Sequence, residues 1–585
     1  MDKQAFFDGI VFDAYRWFGA HLEGDTAVFR TFAPNASRIT VTGECNGWDE
    51  TELTPDGRSG FWEGRVTGAA AGQFYKYRIY GANGTVTEHC DPYGFAMELR
   101  PGCCSVLTDL DEYAFEDEEW MQTRTASPDA PLNIYEMHLG SWRRSPGDEN
   151  GWYRYDELAD LLIPYLKENG FTHVEFLPLS EHPFDGSRGY QNTGFFAPTA
   201  RYGTPAQLKA LIDRLHQAGI GAIMDFVPVH FAVDGYGLAR YDGTPLYEYP
   251  HVDVGESEWG SYNFIHSRRE VRCFLQSAAN YWLTEFHFDG LRMDAVSRLI
   301  YWQGDPARGV NGDTLAFLKG MNQGLRERHP TALLIAEDST AYPGVTRSTA
   351  DNGLGFDYKW DLGWMHDTLE YFQTPPDERA GCRGKLLFSM QYFPNEHYLL
   401  PLSHDEVVHG KAAIVQKMWG ANLTDKYAQA RAFYLYMFAH PGKKLNFMGN
   451  ELGLRTEWSE AGELDWTYEN GPFHTFFRAL CAAYRAHPAL HADYAPDSFC
   501  WCEPDPDAPC VFAFERRSAD EALLAVCNFA DEAYAFDAPH DAELLLHTAW
   551  PPFGGDPDAD TPAGDTLTLP AFSAALLRLV PSEPA

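Results

Sequence analysis

Phe286-His287-Phe288-Asp289-Gly290-Leu291-Arg292-Met293-Asp294-Ala295-Val296 decides how this chain is read. Phe286, Phe288, Leu291 and Met293 are apolar and predict a short buried strand, and Gly290 permits close backbone approach. Asp289, Arg292 and Asp294 have no use in a core strand unless they meet a partner or a substrate, because an unpaired buried charge is costly. The run before them, Val271 to Phe286, carries apolar residues at helical spacing. A helix, then a strand, then charge at the strand's carboxyl end is the pattern of a barrel active site. The alternative is a surface turn with an ordinary Asp-Arg pair, and the rest of the chain decides against it.

The neighbouring sequence repeats the pattern of strand then helix. Asn133 to Leu139 is the first predicted strand. Tyr155 to Gly170 is an amphipathic helix with glycine at its end, and His173 to Pro178 is the second strand. Pro205 to Gly219 is a helix, and Gly221 to Phe226 is the third strand. After the fourth come a helix at Thr314 to His329 and a fifth strand at Ala332 to Glu337. Phe356 to Trp360 is a sixth strand and Tyr398 to Ser403 a seventh. A helix at Tyr427 to His440 leads to the eighth, Lys444 to Met448. About eight such units in roughly 350 residues predict a (β/α)8 TIM barrel, with Val229 to Ile265 as an excursion on its catalytic face.

Both flanks read as β-structure. Ala27 to Phe32, Arg38 to Thr42 and Phe74 to Ile79 alternate apolar with polar residues and are separated by turn residues such as Asn46-Gly47 and Asn83-Gly84. This predicts an N-terminal β-sandwich over residues 1–112. Residues 113–131 are an acidic, proline-containing linker, and residues 132–485 hold the barrel with its excursion at 229–265. Residues 486–585 return to short apolar runs, Cys510 to Glu515, Ala522 to Cys527, Leu544 to Leu546 and Ala574 to Val580, as a C-terminal β-sandwich without catalytic features. Trp48 and Trp62 either stack on sugar rings or pack in the core.

Composition narrows the function. The 585 residues carry a net charge of −39, which repels phosphate backbones, so nucleic acid and anionic membranes are poor partners while a neutral polymer is not. The 11 cysteines form neither a disulfide nor a metal framework, which suits free thiols in a reducing cytoplasm. Met-Asp-Lys-Gln-Ala-Phe-Phe-Asp is not a signal peptide, and no apolar run approaches membrane-spanning length. A soluble cytoplasmic protein is expected.

Charges gather at four predicted strand ends: Asp225 to His230, Arg292 to Asp294, Glu337-Asp338 and His404-Asp405-Glu406. Two carboxylates about 5 Å apart perform retaining glycoside chemistry, and a third can stabilise the positive transition state. These four stretches resemble the conserved regions of the α-amylase clan of glycoside hydrolases and transferases. The resemblance implies Asp294 as nucleophile, Glu337 as general acid/base and Asp405 as transition-state stabiliser. It also implies substrate-binding or orienting roles for Tyr190, Asp225, His230, Arg292 and His404, with Tyr190 stacking beside the scissile bond. Asn133 to Arg144, Gly189 to Thr204, Gly237 to Glu248, Ala336 to Thr340, Leu402 to Lys411 and Phe447 to Gly453 are similar to the 1,4-α-glucan branching branch of that clan. In the first flank, Phe32-Ala-Pro-Asn-Ala, Asn46-Gly-Trp and Tyr75-Lys-Tyr-Arg-Ile resemble the carbohydrate-binding module that precedes glycogen-acting enzymes.

That likeness runs from about residue 20 to the end. It implies cleavage of an α-1,4-glucan, retention through a glucosyl ester, and transfer to a 6-hydroxyl to form an α-1,6 branch. The alternatives are a hydrolase of the same clan, of the amylase or debranching type, and a non-catalytic glycogen-binding scaffold. The expected partner is glycogen or a linear α-1,4-glucan, bound by a monomer. Calcium occurs in the clan, but no EF-hand type of oxygen-ligand loop is present, so neither metal nor cofactor is expected. Three departures from the resemblance are expected: the additional N-terminal module of many members is not expected here, Tyr301 to Asn311 reads as a short loop, and Asp338 stands where the family usually has a second Glu.

Overall fold

The computed structural model describes residues 1–555 and 566–579. Eight parallel strands, Asn133–Met137, His173–Phe176, Gly221–Phe226, Gly290–Met293, Leu333–Ala336, Tyr358–Trp360, Tyr398–Leu402 and Lys443–Phe447, close into one barrel in chain order. They are short, buried on both faces and rich in Leu, Ile, Met and Phe, as parallel strands covered by helices must be. By its contacts the chain divides into one compact unit of Met1–Arg124, Arg143–Leu162 and Phe176–Asp357, and a second of Thr125–Trp142, Ile163–Glu175 and the residues from Tyr358 onward.

In the first unit, two antiparallel sheets form the N-terminal β-region. One runs from Gly19–Glu23 through Thr26–Phe32 to Phe61–Thr67, and the other is centred on Ala36–Gly43 and Phe74–Gly81. Their inward residues Phe29, Val41, Phe61, Tyr77 and Ile79 are buried. Trp62 belongs to this core, with its indole donating to the Ala33 carbonyl at 3.0 Å, so the sugar-stacking reading fails for that residue. Trp48 is exposed.

The helix Pro205–Gln217 shows why the third strand starts where it does. Pro205 opens the helix, Thr204 accepts from the Gln207 backbone, and the Gln207 amide oxygen accepts from Thr204 N at 2.9 Å. Gly219 then takes φ +77° and turns the chain into Gly221.

The fourth strand is shorter than its sequence suggests. Phe286 caps the helix Arg269–Glu285, His287 has φ +58°, and pairing begins only at Gly290. Phe286 and Phe288 pack on Trp282 at 5.0 and 6.1 Å, so their alternation reflects loop packing, not a strand. Asp289 therefore lies at the strand's entrance, not its catalytic end. It accepts from Ala222 N at 2.6 Å, Trp120 Nε1 at 2.8 Å and His216 Nε2 at 2.9 Å. Asp117, on the segment read as a linker, accepts from His216 Nδ1 at 2.7 Å, and that segment carries the helix Glu118–Thr123.

In the second unit, a five-stranded antiparallel sheet includes Phe499–Trp501, Val511–Arg517, Ala522–Asn528 and Ser573–Leu579. Val580, the last residue of the run predicted there, lies outside the described residues. Asp493 joins this sheet to the eighth barrel strand, holding Arg516 at 2.8 Å and Lys443 at 3.0 Å with all three side chains fully buried. All 11 cysteines are free, and among the described residues no helix is long and apolar enough to cross a membrane.

Candidate active site

Strand register assembles one charged group in the first unit. Asp225 on the third strand pairs level with Arg292 on the fourth, and Met293 pairs with Ala336 on the fifth. Continuing that register sets Asp294 level with Glu337, one residue past the last rung. Gly290 is needed for this: a Cβ there would sit 2.6 Å from the Leu333 carbonyl oxygen on the fifth strand. Backbone bonds then fix the exits, Asp294 N to Phe226 O at 3.0 Å and Glu337 N to Met293 O at 3.1 Å. Ala295 adopts φ +47° and turns its N–H onto Glu337 Oε2 at 2.9 Å.

Arg292 is the hub. Its Nη1 lies 2.9 Å from both Asp225 and Asp294, and its Nη2 lies 2.9 Å from Glu337. The guanidinium is wholly buried, whereas Asp294 and Glu337 keep 13% and 21% of their side chains open to solvent. Burial works against the Arg292 charge, but Asp225, Glu337, Tyr190 and Asp294 outweigh it and hold the group charged. One cation thus serves three carboxylates, and the two at the strand exits are the accessible ones.

Tyr190 comes from the loop after the second strand. Gly189 precedes it at φ +95°, where a Cβ would stand 2.2 Å from the Pro178 carbonyl oxygen. The Tyr190 hydroxyl donates to Asp225 at 2.5 Å, and its ring lies 5.8 Å from the Arg292 guanidinium. His230 opens the excursion, pairing with Asn263 in a two-stranded ribbon. Burial pushes its imidazole down to about 3, helped by Arg298, so the ring is neutral and can both donate and accept. Trp259 stands 5.3 Å from His230, with the Arg298 guanidinium 4.3 Å from the indole.

His404 and Asp405 follow the seventh strand and form a group of their own in the second unit. Glu136, fully buried on the first strand, accepts from His404 N at 2.8 Å and from His404 Nδ1 at 2.6 Å. This fixes the ring and turns Nε2 toward Asp405, 3.4 Å away. Asp405 is half exposed, at 51%. The eight nominated residues thus lie at or just beyond strand exits or on the loops that follow them. The sequence motifs do not single out Glu136, Trp259 or Arg298. A lone carboxylate inside Asn-Ile-Tyr-Glu-Met carried a signal for Glu136, while nothing in the excursion's sequence marked Trp259.

Two carboxylates share one guanidinium at the exits of adjacent parallel strands, an arrangement compatible with glycoside chemistry on a barrel. The carbohydrate-binding module 48 (isoamylase N-terminal domain) family matches residues 17–94, and the alpha amylase catalytic domain family matches residues 147–237. The chain is 43% identical over 554 residues to the 1,4-alpha-glucan branching enzyme GlgB of Oleidesulfovibrio alaskensis, covering 90% of this chain and 87% of that protein. It is 38% identical over 613 residues to GlgB of Bacillus subtilis, covering 99% and 97%. The chain belongs to the 1,4-alpha-glucan branching enzyme family. Its fold is shared with a pullulanase from Anoxybacillus at TM-score 0.75 and 18% identity, over 99% of this chain and 89% of that one. It is shared as well with a pullulanase from Paenibacillus barengoltzii at TM-score 0.74 and 20% identity, over 96% and 94%.

Proposed function

We propose that this chain branches α-1,4-glucans, as in glycogen synthesis, by a double displacement centred on Asp294 and Glu337. The observation that carries this reading is the Arg292 cluster, in which both carboxylates share one buried guanidinium, in a chain of the branching enzyme family. Asp294 attacks the anomeric carbon of an α-1,4 bond while Glu337 gives its proton to the departing oxygen. The carbon–oxygen bond breaks, and the cleaved chain stays as a glucosyl ester on Asp294. The 6-hydroxyl of a second glucan then attacks that carbon, losing its proton to Glu337. The ester bond breaks, Asp294 returns as a carboxylate, and an α-1,6 branch is left. Two inversions give net retention.

Arg292 keeps Asp294 ionised for attack and holds both carboxylates in place. Asp405 binds hydroxyls and stabilises the developing positive charge, with His404 held by Glu136 beside it. His230, neutral at working pH, donates to a sugar hydroxyl, and Tyr190 offers its ring to the sugar beside the scissile bond. Neither step calls for a cofactor, because the leaving oxygen is protonated in place. The enzyme acts as a cytoplasmic monomer in this proposal: eleven free thiols suit a reducing compartment, and size-exclusion chromatography with light scattering tests the monomer.

The deciding experiment is incubation with amylose, followed by proton NMR for α-1,6 linkages and a reducing-end assay. New α-1,6 signal with few new reducing ends is expected. Rising reducing ends without branches would mean a hydrolase, and binding with no change in either would mean a scaffold. Asp294→Asn is expected to lose at least about 10⁴-fold in kcat with the fold intact, as loss of a nucleophile does.

A further inference from the structure

The excursion leaves the third strand at His230 and ends in a tight turn. Ser257 N donates to Ser261 O at 2.8 Å, the two serine hydroxyls lie 2.6 Å apart, and Ser257 Oγ accepts from Trp259 N at 3.2 Å. Gly260 closes the turn at φ +75°. Both serines are buried, yet Trp259 between them keeps 46% of its surface open. A single exposed indole is ordinary on a protein surface, but this one is held from three sides. Its ring lies 5.3 Å from His230 and 4.3 Å from the Arg298 guanidinium, and its carbonyl accepts at 2.9 Å from Gln191, the residue after Tyr190.

Arg298 reaches the indole from the helix Val296–Ile300, which follows Asp294 and Ala295 directly. Its guanidinium also meets Glu258 at 2.7 Å and donates to Gln303 Oε1 at 3.0 Å. Gln303 lies in the short loop after this helix, which a bridge between Tyr301 and Val310 folds back on itself. Its amide oxygen accepts from Asn263 Nδ2 at 3.3 Å as well as from Arg298, and its Nε2 donates to the carbonyls of Asp253 at 2.8 Å and Glu256 at 3.1 Å. A side-chain amide has two donor hydrogens and two acceptor lone pairs, so this one is saturated. Reversing it would turn donors onto a guanidinium and an acceptor onto two carbonyls, so only one orientation fits. Gln303 itself takes φ +56°, a left-handed conformation that a non-glycine residue keeps only where its surroundings impose it. Asn263, Asp253 and Glu256 all belong to the excursion, so the amide joins that segment to the helix that follows Asp294.

We propose that Gln303 and Arg298 are positioning residues that clasp the excursion to this helix and thereby hold the Trp259 indole as a wall of the glucan site. The inference rests on the glucan reading of the active site. The indole offers its face to the C–H face of a glucopyranose ring beside the hydroxyl that His230 binds. Such a contact is made in the ground state and the transition state alike, so its loss appears in KM more than in kcat.

The test is a double-mutant cycle in the full-length enzyme, read as initial branching rate over a range of amylose concentrations. Gln303→Gly removes the amide and suits the left-handed backbone, so it opens the clasp without adding strain. It should raise KM at least about fivefold and lower kcat less than about threefold, while Trp259→Ala should raise KM at least about tenfold. Because Gln303 acts through Trp259, adding Gln303→Gly to Trp259→Ala should cost less than about a further twofold. Gln303→Asn, which keeps an amide on a shorter arm and tolerates the left-handed turn, should recover part of the loss. Hydrogen exchange over 252–263 should quicken in Gln303→Gly while its melting matches that of the native protein. The proposal is overturned if either single variant leaves KM within about twofold of native, if exchange over 252–263 is unchanged, or if the two losses multiply in full, which would make Gln303 a structural residue independent of Trp259. A native enzyme that hydrolyses amylose without branching it would refute the transfer reading alone, and the same cycle read as hydrolysis rate would still decide the clasp.

Discussion

Removing the charge of Arg292 should move the whole pH–activity curve upward. The guanidinium meets Asp225, Asp294 and Glu337, each at 2.9 Å, from a fully buried position. A pair of unit charges about 4 Å apart is worth about 4 kcal/mol at an effective dielectric of 20, and mutual repulsion of the carboxylates offsets part of the threefold sum. In Arg292→Leu, that attraction disappears and the repulsion remains. A neighbouring guanidinium holds a carboxyl down by roughly 1–3 units, so losing it should raise the acid limb of kcat/KM by about that much. The sign follows from the chemistry: Asp294 must be ionised to attack, so a higher pKa removes activity at a higher pH as the solution is acidified. Glu337 must be protonated to serve as acid, so the alkaline limb should rise too.

Arg292→Lys separates charge from geometry. An ammonium keeps the positive charge but is a point donor that cannot hold three carboxylates in the guanidinium's planar arrangement. Its acid limb should stay within about half a unit of the native one, while kcat falls by roughly 10²-fold from misplacement. Arg292→Leu should lose about 10²–10³-fold at its own optimum as well as shifting. The assay is initial branching rate on amylose from pH 4 to 9, with near-UV circular dichroism to verify the fold. An Arg292→Leu enzyme that is folded, within tenfold of native activity and unshifted in pH would refute the role given to this cluster.

Further outcomes can be measured separately. Glu136→Gln keeps one acceptor for His404 and should cost kcat about tenfold, while Glu136→Ala frees the ring and should cost about 10²–10³-fold, with amylose turnover as the readout. Tyr190→Phe removes the hydroxyl bond to Asp225 but keeps the ring, so KM should change less than threefold; Tyr190→Ala should raise KM at least tenfold if the ring stacks on sugar. Burial alone would lower the His216 pKa, but Asp289 and Asp117 outweigh it and push the imidazole up to about 9. Its charged form is favoured on folding. The stabilisation is therefore complete below the unfolded value near 6.5 and fades as pH rises toward 9, a span worth about 3 kcal/mol. The first melting transition of the native protein should fall over that interval, and that of His216→Gln should start lower and stay flat.

The parts of this fold that were legible in the sequence are those whose cause is local. Seven of the barrel strands fall within the short, largely apolar runs bounded by turn residues or charge, although only Leu333–Ala336 and Tyr398–Leu402 are free of a polar interruption. The fourth misled because period-two alternation at Phe286 and Phe288 looks alike whether residues pair in a ladder or fold back on the preceding helix. Only the left-handed turn at His287 distinguishes the two, and histidine does not advertise such a turn. Reading three charges in one motif as a single device failed for the same reason. Asp289 was claimed by His216 and the chain entering the third strand, while Arg292 and Asp294 faced the other way along the fourth. Glu136 shows where local reasoning stops. Its partner His404 is 268 residues away, and no spacing rule connects them. A buried carboxylate in an apolar strand nonetheless states that a partner must exist, because leaving it unmet would cost several kcal/mol. The charge at Glu136 could have been read as a demand, and the strand exits held few residues able to answer it: a histidine or an arginine. Searching sequences for unanswered buried charges, and then for the cations that topology can bring to them, would have found the His404 anchor before the structure did.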